Sequence, residues 1–473
     1  MSNYETFLAD KRLEVAPSGF DPGDINPMLF DFQRDAVAWA CRLGRAALWE
    51  DCGLGKTAQS IEWAAQVTDH TGRPVLILTP LAVAPQFVSE GEKFGVRVDH
   101  ARDGGRVQGP RIVVANYERL HRFSVSDFSG VVLDESSILK NFTGKVRTQL
   151  IETFADTPYR LACTATPAPN DFVELGNHAQ FLGVMSRAEM LARFFVHDGG
   201  STKDWRLKGH AAVDFWSWLA SWALNVRKPS DLGYEDNRFK LPDLLTHEHV
   251  VTTTHDTAKE RGLLFNLSAD TLLEQRRARK ATISQRVAIA AELANEIQEP
   301  WVMWCELNDE SSALAAAIPG AVEVRGSQTT EQKEELLASF SSGRTRVLVT
   351  KPSIAGWGMN WQHCAHVAFV GIGHSFEMWY QAIRRTWRFG QARQVHCHII
   401  TSDLEGAVLE NLRRKQSDAE RMAGEMVAAM GEINRAAVRG SQRTYTGYDP
   451  QKEMAVPEWL KSKVAKRRSW IST

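Results

Sequence analysis

The chain has 473 residues, enough for two or three domains with cores of their own, and a formal net charge of −1. Its 43% hydrophobic and 24% charged residues are the balance of a globular protein, with no apolar run approaching a membrane span and no basic-then-apolar signal after Met1-Ser2-Asn3-Tyr4-Glu5, so no membrane partner is expected and the expected location is cytoplasmic. Six scattered cysteines without a Cys-x-x-Cys pair argue against a disulfide framework or a Cys-rich zinc site, whereas near-neutral charge leaves nucleic acid open, because a neutral chain can carry a basic groove.

The first informative stretch is Leu48-Trp49-Glu50-Asp51-Cys52-Gly53-Leu54-Gly55-Lys56-Thr57, followed by a helical pattern over 58–67. Gly53 and Gly55 let the backbone turn tightly, so that N–H groups can point at a phosphate chain. Lys56 supplies a point charge for β/γ-phosphates, and the Thr57 hydroxyl can ligate Mg²⁺. The helix that follows aims its positive end at the same anion. An ordinary Gly-rich strand-to-helix turn would read similarly, and Glu50 stands where the loosest phosphate-loop pattern has Gly.

Strand patterns follow at 74–79, 111–115, 130–133 and 159–163, separated by helical patterns; this alternation indicates an α/β fold with a parallel sheet. Gly130-Val131-Val132-Leu133-Asp134-Glu135 is a buried strand that delivers two acids at its tip. Asp134 there can reach the Mg²⁺ held by Thr57, and Glu135 can orient or deprotonate an attacking water. Two surface acids after an edge strand are the plainer alternative for an isolated Asp-Glu.

Residues 185–225 read as helical and Trp-rich, 226–250 as irregular and extended, and 256–298 as helical again. The Trp-rich stretch 214–222 reads most simply as the core of a helical insertion. Strands resume at 301–305, 321–324, 346–350, 366–370 and 395–400, and a helical run follows from 403 to about 437. The expected division is a first lobe over 1–240 with a helical insertion near 185–235, a second over 241–440 with a helical segment near 256–298, and a basic tail over 441–473.

The second half contributes cations in Gln381-Ala382-Ile383-Arg384-Arg385-Thr386-Trp387-Arg388-Phe389-Gly390-Gln391. Arg385 and Arg388, three apart, would share one face of a helix. A planar guanidinium matches the charge spread over a transferring phosphoryl group, although a solvated basic face or a DNA-phosphate patch would use the same residues. His363-Cys364-Ala365-His366 and His396-Cys397-His398 lack zinc spacings, and on a strand only His396 and His398 share a face. The basic run Arg276-Arg277-Ala278-Arg279-Lys280 is either a solvated face or a phosphate contact, as is the tail Lys461 to Arg468.

With its motifs in order from Leu29 to Leu412, the chain resembles superfamily-two helicase-like ATPases of the SWI/SNF branch. Leu29-Phe30-Asp31-Phe32-Gln33 resembles the Q motif, Glu50 to Thr57 motif I with its acid, Leu76 to Pro80 motif Ia, and Asp134 to Asn141 motif II. Thr164-Ala165-Thr166-Pro167-Ala168-Pro169-Asn170 resembles motif III, Gly356-Trp357-Gly358-Met359-Asn360 motif V, and Gln381 to Gln391 motif VI.

The resemblance implies two RecA-like lobes, parallel sheets flanked by helices, with helical insertions between them. ATP would lie in the cleft, with Gln33 reading adenine, Gly53, Gly55, Lys56, Thr57 and Gln381 binding nucleotide, and Thr57 and Asp134 holding Mg²⁺. Lys56, Asp134, Glu135, Arg385 and Arg388 would carry hydrolysis. The implied partner is DNA, duplex by preference and with RNA left open, along with a protein partner that supplies biological specificity. A non-hydrolysing nucleic-acid-binding scaffold and a strand-separating helicase are the alternatives. Three residues depart from the branch: Ser137 where His is frequent in motif II, Ala355 where Gly is common in motif V, and Trp387 for a usual His in motif VI. The compact chain and Ser136-Ser137 look like small members from bacteria and phages.

Overall fold

The computed structural model describes residues 15–80, 83–101, 104, 106–140, 144–168, 171–197, 205–252, 279–356, 358–373 and 375–439. Arg276, Arg277, Ala278, Trp357, Asn141, Pro169, Asn170 and the basic tail lie outside them.

In chain order the first strands are β1 (Arg45–Glu50), β2 (Val75–Thr79), β3 (Val98–His100), β4 (Ile112–Asn116), β5 (Gly130–Asp134) and β6 (Tyr159–Thr164). A small antiparallel hairpin follows, β7 (Phe195–His197) with β8 (Trp205–Leu207), and then β9 (Ala223–Val226). Seven of these form one sheet in the order β3-β4-β2-β5-β6-β1-β9, every pairing parallel. The second sheet is built from β10 (Leu244–Val251), β11 (Trp301–Cys305), β12 (Val322–Glu323), β13 (Val347–Thr350), β14 (His366–Val370) and β15 (Val395–Ser402). Its order is β10-β15-β14-β11-β13-β12, again parallel throughout. These are two RecA-like lobes, each a parallel sheet with helices on its faces.

The central strands are apolar along their whole length because both faces are covered. On β2, Leu76 and Leu78 enter one core while Val75 and Ile77 enter the other, and all are fully buried. The second sheet repeats this: Trp304 and Val302 face one core, Trp301 and Met303 the opposite one. The alternation of strand and crossover helix puts all carboxyl ends of a sheet on one edge, which is where ligands collect in such folds.

Three sequence readings are corrected. Among the described residues, the segment around 185–225 is α-helical at Arg187–Phe194 and Ala212–Ala220, and it also forms the hairpin and β9, the edge strand beside β1. Its tryptophans therefore belong to the first lobe's core rather than to an insertion, with Trp218 and Trp222 packed edge-on. The irregular reading of 226–250 gives way at β10, whose eight residues pair with β15. Arg279 turns inward: it is buried, donates to Glu405 Oε1 at 2.7 Å and to the Ile372 carbonyl at 2.5 Å, and so faces neither solvent nor a nucleic acid.

The helix Gly406–Val438 starts in the second lobe's core, through Val408, Leu409 and Leu412, and ends in the first, through Met422, Met426 and Met430. Asn434 completes the strap. Its Oδ1 accepts from the Asn225 N–H at 3.2 Å and its Nδ2 donates to the Ala223 carbonyl at 3.0 Å, satisfying backbone groups that an uncovered β9 would expose. Among the described residues, no helix is long and apolar enough to cross a membrane.

Candidate nucleotide site between the lobes

β1 ends at Glu50 and the chain turns through Gly53 (φ 92°) and Gly55 (φ 90°) into the helix Lys56–Thr71. Both glycines are needed twice over. Their left-handed backbone disfavours side chains, and a Cβ on Gly53 would sit 2.8 Å from the Phe389 nitrogen of the other lobe. A Cβ on Gly55 would meet Gln33 Nε2 at 2.2 Å. No side chain caps the helix, so its first N–H groups remain available at the loop.

One cavity brings together Gly53, Gly55, Lys56 and Thr57 from this loop, Asp134 and Glu135 from the tip of β5, and Arg385 and Arg388 from the second lobe. Lys56 Nζ rests on the Glu50 and Asp51 carbonyls at 2.7 and 3.1 Å. Glu50 lies fully buried behind the loop, where Gln59 Nε2 donates to it at 2.7 Å; burial pushes its carboxyl up to about 7 against the pull of Lys56.

Asp134 accepts from Thr79 Oγ1 at 2.8 Å, while its backbone carbonyl accepts from the Tyr117 hydroxyl at 2.7 Å. Burial first and the adjacent Glu135 carboxylate second push Asp134 up to about 7, against the Thr79 hydrogen bond and the charges of Lys56 and Arg385. Glu135 has φ 55°, and among the described residues no other non-glycine has a positive φ. That conformation costs about 1–3 kcal/mol and marks a side chain held for a purpose. Its buried Oε2 has no hydrogen-bond partner. Two crowded carboxylates, one with an unsatisfied oxygen, beside a hydroxyl and a lysine, make a donor set suited to a divalent cation on a phosphate chain.

Arg385 is oriented by Gln381, whose carbonyl accepts from Nε and whose Oε1 accepts from Nη2, each at 2.8 Å. Arg388 Nη1 donates to the Met359 carbonyl at 2.9 Å; burial and the neighbouring Arg385 push it down to about 10. The two arginines do meet, but not on a helix face. The helix Phe376–Ile383 ends before them, and they lie in the turns that follow.

Gln381 sits on that helix, fully buried, with Oε1 3.8 Å from Cys52 Sγ of the phosphate loop. Gln33 does not face open space. Its Nε2 donates to the Leu54 carbonyl at 2.7 Å and its Oε1 accepts from the Phe30 N–H at 2.9 Å, so both ends of the amide are used to buttress the loop. These bonds use one N–H and one acceptor site of the amide, and place Gln33 directly behind the loop.

The sequence reading missed the residues that join the lobes here. Arg384 Nη2 donates to the Cys52 carbonyl at 2.5 Å and pairs with Asp51 Oδ2 at 3.1 Å, and the Tyr380 hydroxyl donates to Asp51 Oδ1 at 2.5 Å. Adjacent arginines look alike in a sequence; only the turn after Ile383 decides which one meets the loop. Trp387, the departure in motif VI, has Arg384 stacked 5.1 Å over its ring and donates its indole N–H to the Pro242 carbonyl at 2.6 Å. In motif II, Ser136 Oγ lies 3.1 Å from Nε2 of the buried His178, which burial holds down to about 4 and hence neutral.

The fold and this cavity define a two-lobed P-loop nucleotide-binding core with arginines supplied across the cleft. Residues 32–194 match the SNF2-related domain and residues 287–390 the helicase conserved C-terminal domain. The chain belongs to the SNF2 branch of the superfamily-two helicase-like ATPases. It is 22% identical over 437 residues to the mouse "DNA annealing helicase and endonuclease ZRANB3", covering 84% of this chain and 41% of that protein. It is 29% identical over 181 residues to the Drosophila melanogaster "ATP-dependent helicase brm", covering 33% of this chain and 11% of that protein. The chain thus spans less than half the length of these relatives. The "Sulfolobus solfataricus SWI2/SNF2 ATPase core in complex with dsDNA" aligns with 89% of this chain and 97% of that one at 18% identity, with a TM-score of 0.41, too low to carry an argument.

Proposed function

We propose that the chain is an ATP-driven motor that moves along DNA, duplex by preference, by opening and closing its two lobes. The observation that carries this reading is the single cavity shared by Lys56, Thr57, Asp134 and Glu135 from one lobe and Arg385 and Arg388 from the other. Lys56 leaves its two carbonyl partners for the β/γ-phosphates, and the free N–H groups of the following helix hold the same anion. Thr57 and Asp134 would hold Mg²⁺, which when bound neutralises charge on the phosphates. Glu135 orients the attacking water and takes its proton. Arg385 and Arg388 stabilise the charge that develops on the transferring group, and Gln381 fixes the direction of Arg385. Because the arginines come from the second lobe, hydrolysis requires closure, and phosphate release loosens it. That cycle is the power stroke.

DNA as the track is supported by the family and by the relative named a DNA annealing helicase. A cytoplasmic site of action in a bacterium or phage-infected cell, and a protein partner that directs the motor, belong to the same proposal.

The test is steady-state ATP hydrolysis with no nucleic acid, single-stranded DNA, duplex DNA and RNA, beside Lys56→Ala. Stimulation by duplex DNA that the variant lacks is the expected result. Stimulation only by single strands or RNA would replace the duplex translocase with a strand-separating or RNA-directed enzyme. DNA binding without turnover under any condition would replace it with a scaffold.

A further inference from the structure

The helix Phe376–Ile383 faces the first lobe with residues 377, 380 and 381, the three-and-four spacing of one helical face, and Arg384 joins them from the turn just beyond its end. Three of these four meet the phosphate loop through Asp51 and Cys52. Glu377 meets something else. Its carboxylate accepts from Lys140 Nζ on one oxygen and from Thr166 Oγ1, at 3.5 Å, on the other. The Glu377 side chain is 4% exposed, so this is a buried charge that crosses the cleft. It also lies in the first turn of its helix, where the backbone dipole favours a carboxylate, below an N-cap in which Ser375 Oγ accepts from Met378 N at 3.3 Å.

Its two partners flank the catalytic acids. Lys140 ends the turn Ser136–Lys140 that follows Asp134 and Glu135 directly, and Thr166 follows β6, the strand paired with β5. The same turn is tied to the helix Leu175–Leu182 by Asn177 Nδ2, which donates to the Leu139 and Lys140 carbonyls at 2.9 and 3.2 Å. The turn therefore has little freedom, and a pull on Lys140 is passed to the backbone of the acids.

We propose that Glu377 is a positioning residue through which the second lobe sets Asp134 and Glu135, by bridging Lys140 and Thr166 when the lobes close. The proposal rests on the ATPase reading above. Closure then does two things in one movement: it brings Arg385 and Arg388 to the cavity and locks the acids opposite them. Glu377 does not line the cavity that Lys56, Asp134, Glu135, Arg385 and Arg388 share.

The experiment compares the wild type with Glu377→Ala, Glu377→Gln, Lys140→Glu and the double exchange Lys140→Glu/Glu377→Lys. The readouts are kcat and KM for ATP with DNA, and nucleotide affinity from titration with a fluorescent ATP analogue. In Glu377→Ala, kcat should fall ~10²-fold, the loss expected when a reacting group is displaced by about 1 Å, with nucleotide affinity little changed. The double exchange should recover most of the loss, because it restores the pair with its charges reversed. Equal losses in kcat and nucleotide affinity, or a double exchange no better than either single variant, would overturn the proposal. So would a Glu377→Ala enzyme with wild-type kcat. A wild type with no turnover would instead remove the ATPase reading on which the proposal rests, and that outcome is visible before any variant is made.

Discussion

Replacing Glu135 with Gln separates binding from chemistry at this site. The amide keeps the size and shape of the side chain, and the strained backbone at φ 55° is unchanged. What it removes is a base and a negative charge. Loss of a positioned general base costs ~10²–10⁴ in rate, or about 2.7–5.4 kcal/mol at about 1.36 kcal/mol per decade. The charge has the opposite effect on binding. After burial, Glu135 is a reason the Asp134 carboxyl is pushed up, which disfavours its charged form. Without that like charge, Asp134 ionises more fully and holds a cation-bound phosphate chain at least as well. The expected outcome is therefore single-turnover hydrolysis slowed ~10²–10⁴-fold while the affinity for a fluorescent ATP analogue with Mg²⁺ is equal or tighter. Asp134→Asn should lose both. A Glu135→Gln enzyme within about tenfold of wild-type turnover, or one whose nucleotide affinity falls in step with its rate, would refute the assigned role.

Arg388→Ala should slow turnover by ~10³-fold or more and leave much of the nucleotide affinity intact, since a cross-lobe guanidinium acts on the developing charge; a loss of under about threefold in steady-state rate would place Arg388 outside the chemistry. Glu405→Ala should leave Arg279 buried without its partner and cost ~3–5 kcal/mol in urea unfolding, whereas a loss of about 1 kcal/mol or less would show that the pair behaves like a surface one. Burial, and then the imidazoles of His247, His249, His366 and His396, push His398 down to about 3. Its folded value lies below the unfolded ~6.5, so the unfolded chain binds the extra proton, and the stabilisation present above that value is lost as pH falls toward 3. Denaturation midpoints measured from pH 8 to pH 4.5 should fall less steeply in His398→Gln; identical slopes would remove the histidine ladder from the pH response.

Most of the fold was legible because a parallel sheet covered on both faces writes itself as short apolar runs. Strands at 75–79, 130–134, 301–305 and 366–370 lie where those runs are. β9 and β10 were not legible for opposite reasons. The four residues of β9 are embedded in a Trp-rich stretch that scores as helix, and β10 is an edge strand whose exposed face carries Glu248 and Val250, so it lacks a continuous apolar signal.

The site divides along the same line. Gly53, Gly55, Lys56, Thr57, Asp134 and Glu135 could be picked out because each does its work through local geometry: a glycine turn, a helix start, a strand tip. Residue type and spacing along one strand or turn record such geometry. What Arg384, Gln33 and Glu377 do depends on which way a side chain points after a helix has ended or across a cleft. Arg384 and Glu377 acquire their partners only when the elements after β1 and β5 meet the Phe376–Ile383 helix, and Gln33 only when the phosphate loop folds over it; no local pattern encodes those approaches. The sequence by itself determined the glycine turn, the helix start and the acidic strand tip. The tertiary structure alone decided that Arg384 grips the loop, that Gln33 stands behind it, and that Glu377 ties the acids to the opposite lobe.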